Sequence, residues 1–155
     1  QWNQNFPAVI DGCAAPRSDT NETWINPTIR RLYISLHMLG FAHSVEVYQE
    51  ENLIGGLYGV AIGGAFFGES MFSRVSNASK IALCHLMARL KYGNFKLLDA
   101  QFVSDHLIQF GVKPLEKEEF QKKLENAINN ESGLKLDVPE TTVLHSLLHD
   151  NKVTS

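Results

Sequence analysis

Only two cysteines, Cys13 and Cys84, occur in 155 residues. That is too few for a disulfide framework, so the chain must be held by its core. No apolar run is long enough to span a bilayer and no signal-peptide pattern is present, so the expected setting is cytoplasmic, with no membrane contact. An excess of positive charge is missing too: 14 Lys and Arg against 17 Asp and Glu leave −3, with a pI of about 6.1. This excludes a surface that traps polyanions over its whole extent, and an RNA ligand would need a local basic patch. Arg30, Arg31, Arg74, Lys80, Arg89, Lys91 and Lys96 could supply one, although helix surfaces carry such residues for solubility alone. There is no internal repeat and no low-complexity block. The paired glycines at 55–56 and 63–64 lack the strand-loop-helix setting of a phosphate loop and read as bulges or points of close backbone approach. His145 and His149 have the i, i+4 spacing of a helical metal pair, yet no third ligand is spaced to complete a known motif. No metal and no cofactor are therefore expected. Cys84 reads as a small packed side chain rather than a nucleophile.

What is present suffices for one core, since 44% of the residues are apolar. The chain is organised around Gly63 to Lys80 and the short strand Lys96 to Gln101. Ala65-Phe66-Phe67 reads as a buried strand, Ser76 to Tyr92 as an amphipathic helix stopped by Gly93, and Phe95 to Ala100 as a second buried strand. A crossover of that length makes the two strands parallel and right-handed, so both end on one edge of the sheet. Glu69 then ends one strand while Asp99 and Gln101 end the other, each pair two apart sharing a face. Ligands in open α/β sheets sit at such edges.

The flanking sequence completes an α/β (α+β) pattern. Residues 1–23 are turn-rich, with a short helix around Ala8 to Ala14. Pro27 opens a helix to about Leu39, whose stripe of Ile29, Leu32, Tyr33, Leu36 and Leu39 should cover a sheet. Ser44 to Gln49, Leu53 to Ile62 and Ala65 to Gly68 form an antiparallel meander ahead of the β-α-β unit. Helices are expected over Ser104 to Phe110 and Leu115 to Asn129, and Asn151 to Ser155 should be a loose tail. Read from the residues alone, Asp99 is better taken as a strand-end turn residue and Gln101 as a solvated amide. A lone tryptophan such as Trp24, and a stripe such as Leu86 and Leu90, are more often simply core.

The wording GLYGVAIGGAFFGESMFSRVSNASKIAL, followed by LLDAQFVSDHLIQFGV, resembles that of the leucyl/phenylalanyl-tRNA protein transferases. The resemblance runs from about Phe6 to Pro114, through IDGCAAPR, TWINPTIRRLYISLHMLGFAHSVEVY and NLIGGLYGV. It implies a fold similar to the GNAT acyltransferases over residues 1–130, with 131–155 a C-terminal extension without assigned role. Members of the family usually carry a further N-terminal segment, and the first residue here is Gln1 rather than Met, so a fragment or trimmed chain is expected.

The implied activity is transfer of Leu or Phe from charged tRNA to a protein N-terminus bearing Lys or Arg, which marks that protein for degradation under the N-end rule. The implied partners are thus an aminoacyl-tRNA donor and a protein or peptide acceptor. An α-amino group has a pKa near 8, so roughly a tenth is already nucleophilic at pH 7. Such an enzyme needs positioning, a proton acceptor and oxyanion donors more than a strong base. In the family, positions matching Asp99 and Gln101 are implicated in a proton relay and the one matching Glu69 is a required acid. A neutral amide is a poor base, so Gln101 suits orienting the amine and Asp99 receiving its proton, while Glu69 suits a cationic acceptor group. Leu57, Phe67, Leu86 and Leu90 match the family's pocket for the donor side chain, with aromatic residues at the two helix positions in some relatives. Trp24 matches a tryptophan that stacks on adenine, its second aromatic partner lying in the N-terminal segment. Two competing readings remain. One is an acyl-CoA N-acyltransferase of the GNAT type, although its pyrophosphate loop is not found here; the other is a non-catalytic binder of charged tRNA ends or basic protein N-termini.

Overall fold

A computed structural model of the chain describes residues 1–16, 23–101 and 105–150. The elements run α1 (Phe6–Ala14), α2 (Pro27–Met38), β1 (Ala42–Gln49), β2 (Asn52–Ile62), β3 (Ala65–Ser73), α3 (Ala78–Tyr92), β4 (Leu97–Asp99), α4 (Asp105–Ile108), α5 (Lys117–Ile128) and α6 (Glu140–Asp150). The expected tail at 151–155 lies outside the described residues. One mixed sheet has the order β1-β2-β3-β4. Val45 faces Leu57 across the antiparallel β1–β2 pair. The two-residue turn Gly63-Gly64 makes β2 and β3 antiparallel as well. β3 and β4 are parallel, with Phe67 opposite Asp99. The expected meander and parallel pair are thus both present.

Contacts divide the chain into two compact units: Gln1–Val60 with Glu69–Met87, and Ala61–Gly68 with the chain from Ala88 onward. In the first, α1 and α2 pack on β1 and on each other. Each helix starts at a proline behind an asparagine cap, Asn5 accepting from the Ala8 N–H at 3.1 Å and Asn26 from the Ile29 N–H at 2.9 Å. The fully buried contribution comes from α1, whose Phe6, Val9, Ile10 and Cys13 pack with Ile25, Ala42 and Tyr58. The buried Glu46 carboxylate accepts from the Ser44 hydroxyl at 2.6 Å and from the Gln4 and Asn5 N–H groups, tying the chain start to β1.

The α2 stripe is narrower than its hydrophobic pattern suggests. Ile29, Tyr33 and Leu36 pack on the core, whereas Leu32 is 59% and Leu39 71% exposed. Residues 29, 33 and 36 share one face at i, i+4, i+7, and Leu32 lies about 65° from its centre, at the margin. Helix α3 begins at Ala78 rather than Ser76, because Asn77 is left-handed (φ 68°) and the Ser73 hydroxyl takes the Ser79 N–H at 2.8 Å. Along α3, Ala78, Ala82 and Leu86 are buried in this unit, and Cys84, half a turn away from Ala82, is exposed rather than packed.

In the second unit the turn Gly63-Gly64 is pressed on the end of α5. Gly63 has φ +54°, and a Cβ there would stand 2.1 Å from the Ile128 carbonyl oxygen, so only glycine fits. The Gly64 N–H donates to the Ala127 carbonyl at 2.7 Å. This is the close backbone approach expected at 63–64. Arg89, expected on a helix surface, is only 2% exposed. Its guanidinium donates to the carbonyls of Lys135 (2.7 Å) and Val138 (2.9 Å) and pairs with the Glu140 carboxylate. The segment entering α6 is thereby fastened to α3, an arrangement no local pattern announced.

Candidate active site

In the first unit the candidate residues Trp24 and Glu69 both adjoin Tyr33, two turns along α2. Burial first, then the neighbouring Glu69 carboxylate, raises the pKa of the Tyr33 phenol above the ordinary value. Tyr33 and Glu69 are half-buried. Glu69 does not end β3, as the sequence suggested; the strand continues to Ser73. Strand β2 is eleven residues long and offers β3 a partner well beyond Phe67, where pairing with β4 stops.

Two more aromatic rings frame Tyr33. Tyr58 meets it edge-on at 5.1 Å between centroids, and Trp24 does so from the other side at 6.2 Å. Trp24 stands just ahead of the Asn26 cap and is 50% exposed, so it is not the core residue a lone tryptophan usually is. Tyr58 has no accessible surface, and its pKa is raised by burial and then by Cys13, Tyr33 and Glu69. Leu57 and Leu86 are buried in this unit.

The second unit holds Phe67, Leu90, Asp99 and Gln101. Phe67 is half-buried opposite Asp99, and Leu90 is buried on α3. Gln101 does not share a strand face with Asp99. β4 stops at Asp99, whose Oδ1 accepts the Gln101 N–H at 2.9 Å, and Gln101 is left-handed (φ 60°) and exposed. A short side-chain acceptor two residues ahead of an N–H offers the backbone a turn in place of the sheet ladder, and that wins here. The same bond ties the two residues together at the parallel strand edge.

Several basic candidates are already engaged. Arg30 forms a two-pronged bond with Asp11 at 2.5 and 2.8 Å, which holds the Asp11 carboxyl below its ordinary pKa. Arg74 donates to the Leu53 carbonyl and lies over the Phe72 ring, and Arg89 is internal. Among the described residues no group of three His, Cys, Asp or Glu could hold a metal ion, and no helix is long and apolar enough to cross a membrane. Tyr33 and Tyr58 were not singled out from the sequence. The available signal was Tyr33 lying on the α2 stripe two turns past Trp24-Ile25-Asn26-Pro27, which places it beside the tryptophan.

A model of the leucyl/phenylalanyl-tRNA protein transferase family matches residues 1–125. The chain is 56% identical over 128 residues to a leucyl/phenylalanyl-tRNA--protein transferase of Zymomonas mobilis, covering 83% of this chain and 48% of the relative. It is 53% identical over 142 residues to one of Rhodopseudomonas palustris, covering 90% and 63%, and 57% identical over 123 residues to one of Phenylobacterium zucineum, covering 79% and 56%. The chain thus spans about half to two thirds of the length of these relatives.

Proposed function

The chain belongs to the leucyl/phenylalanyl-tRNA protein transferase family, and we propose on that footing that it moves Leu or Phe from a charged tRNA to the α-amino group of a protein beginning with Lys or Arg, marking that protein for degradation in the cytoplasm. The observation that carries this reading is the family match over residues 1–125, a span that contains every candidate site residue. The reading also takes residues 1–130 as a GNAT-like transferase domain and 131–155 as an extension.

The chemistry is aminolysis of an ester. The acceptor nitrogen bonds to the carbonyl carbon, the bond from that carbon to the ribose oxygen of the tRNA breaks, and a proton passes from nitrogen as the ribose hydroxyl is restored. Asp99 is the group suited to take that proton, directly or through water. Its Oδ1 accepts the Gln101 N–H. The side-chain carbonyl of Gln101, one turn-bond away, is suited to accept a hydrogen bond from the amine and fix its line of attack. Glu69, near the Tyr33 phenol, supplies the negative charge for the acceptor's cation. Trp24 offers its exposed ring to the terminal adenine, where stacking contributes about 1–3 kcal/mol per base. Leu57 and Leu86 of the first unit and Phe67 and Leu90 of the second are each suited by resemblance to contact the Leu or Phe side chain, and such apolar contacts distinguish by about 1–3 kcal/mol per methylene.

Incubation with [14C]leucyl-tRNA and a peptide beginning with Arg tests the reading. Label should reach that peptide and not one beginning with Asp. Binding of the charged tRNA without transfer would replace the enzyme by a binding module, and acyl transfer from acyl-CoA would replace the donor.

A further inference from the structure

Strand β4 has too little pairing to locate itself. Its register with β3 spans only Ala65–Leu97, Phe66–Leu98 and Phe67–Asp99, and it lies at the end of the sheet, whereas β3 is flanked by β2 as well. A parallel pair of that length is weakly held. What keeps Asp99 opposite Phe67 must therefore act from outside the pair.

The second unit supplies it just past α5. Helix α3 ends with the Phe95 N–H on the Leu90 carbonyl (2.9 Å) and the Asn94 N–H on the Lys91 carbonyl (3.2 Å), Asn94 taking the left-handed conformation (φ 63°) that turns the chain toward β4. Onto this turn folds the segment 127–133. The Asn130 side-chain amide donates to the Asn94 carbonyl at 2.7 Å, the Asn94 side-chain amide donates back to the Glu131 carbonyl at 3.1 Å, and the Gly133 N–H donates to the Gly93 carbonyl at 3.1 Å. The backbones meet there, since a Cβ on Gly93 would stand 2.1 Å from the Gly133 carbonyl oxygen. The same segment grips the start of β3, where the Ser132 hydroxyl donates to the Gly63 carbonyl at 2.6 Å beside the bond from Gly64 to Ala127. The Lys96 and Leu97 N–H groups in turn both donate to the Gly64 carbonyl, at 2.8 and 3.2 Å. The entries of β3 and β4 are thus tied to each other through residues that lie past position 125, where the match to the family model ends.

We propose that this segment is a clamp that sets where β4 enters the sheet, and that Asn130 is a positioning residue for Asp99. The acceptors of its Nδ2, the carbonyls of Asn94 and of Glu131 (3.2 Å), can only accept, so the position requires a donor and a carboxylate of the same shape would be repelled. With the clamp loosened, β4 and Asp99 shift, while β3 keeps Phe67 in place through β2. A displacement of about 1 Å at a reacting group can cost up to about 10²-fold in rate. Asn130 acts through the strand and not on the substrate, and the inference rests on the role given to Asp99 above.

The test compares Asn130→Asp, Asp99→Asn and the double variant in the full chain. Asn130→Asp should lower kcat for leucine transfer to the Arg peptide about tenfold and leave the KM for leucyl-tRNA and for the peptide within about twofold. In the Asp99→Asn background the same substitution should lower kcat no further. An unchanged kcat, a rise in either KM without a fall in kcat, or an undiminished effect in the double variant would overturn the assignment. A readout without turnover separates the clamp from the proposed function: amide hydrogen exchange over residues 97–99 should quicken about tenfold in Asn130→Asp, while that of α2 in the first unit stays unchanged. Faster exchange at 97–99 in a protein that transfers no leucine leaves the clamp standing and removes the transferase reading. Unchanged exchange there, or equal quickening in α2, removes the clamp whatever the activity. Ser132→Ala takes away a single bond on the β3 side; it should show the same pattern at about threefold and carries the test if Asn130→Asp does not fold.

Discussion

The Tyr33 ring meets the Tyr58 ring edge-on at 5.1 Å between centroids, joining the middle of α2 to the middle of β2 within one unit. The contact closes a long loop and depends on α2 being correctly docked on β1. An edge-to-face aromatic pair contributes about 0.5–1.5 kcal/mol beyond the area it buries. Tyr33→Leu, which removes the pair but keeps an apolar side chain, should lower the free energy of unfolding by about 1–2 kcal/mol in urea denaturation. An unchanged midpoint would show that the contact adds nothing to stability.

The Tyr33 and Tyr58 phenols both resist ionisation, chiefly through burial, with Glu69 adding to this at Tyr33 and Cys13, Tyr33 and Glu69 at Tyr58. In an acid whose neutral form is favoured by the fold, stability is complete below the ordinary value near 10 and declines as pH rises above it, because the unfolded chain then releases protons that the native chain retains. Of the four tyrosines, Tyr33 and Tyr58 should still lack phenolate absorbance at 295 nm at pH 11, and should acquire it together with loss of native circular dichroism. Titration of all four near pH 10 in a protein that stays folded would contradict this.

Arg89 ties down the segment that leads into α6 through two carbonyls and one carboxylate. Removing one partner from a buried ion pair costs about 3–5 kcal/mol, because the other charge is left without compensation. Arg89→Ala should therefore destabilise the second unit by about that much and raise amide hydrogen exchange over residues 134–143. Arg89→Lys should recover only part, since one ammonium does not reproduce the planar fork. Equal exchange in all three proteins would show that the segment is held by other contacts, such as the buried Leu134 and Val143.

What could be read in advance follows the range of the interactions involved. Proline and asparagine at helix starts, the two-residue glycine turn and the apolar alternation of β1 and β2 act within a few residues, and they located those elements to within two or three positions. The length of β3 was not readable, because Glu69-Ser70-Met71 extends only as a partner to β2. Helix α6 had a pattern but no assignment, since its docking passes through Arg89, some fifty residues away. Of the site, motif resemblance named Glu69, Asp99 and Trp24. The pairing of the Tyr33 and Tyr58 rings emerges only when α2 is folded onto the sheet, and the turn at Gln101 required the Asp99 side chain to compete with strand pairing.

Asp99 combines two functions that one substitution can separate. Its Oδ1 accepts the Gln101 N–H at 2.9 Å and so shapes the turn after β4, while its charge is what suits it to receive a proton from the attacking amine. Asparagine keeps an oxygen at the same reach but cannot act as a base at neutral pH. Asp99→Asn should therefore leave Tm within a degree or two and leave the KM for leucyl-tRNA unchanged, while lowering kcat about 10²–10⁴-fold, the range usual for loss of a positioned proton acceptor. Asp99→Ala loses the turn as well, and should add to this a loss of the fixed relation between the β4 edge and Gln101. A rise in KM with unchanged kcat in the asparagine variant would assign Asp99 to binding and end its role as proton acceptor. Equal damage to stability in both variants would mean that the turn needs the charge, not merely an oxygen, and that the two functions cannot be separated at this position.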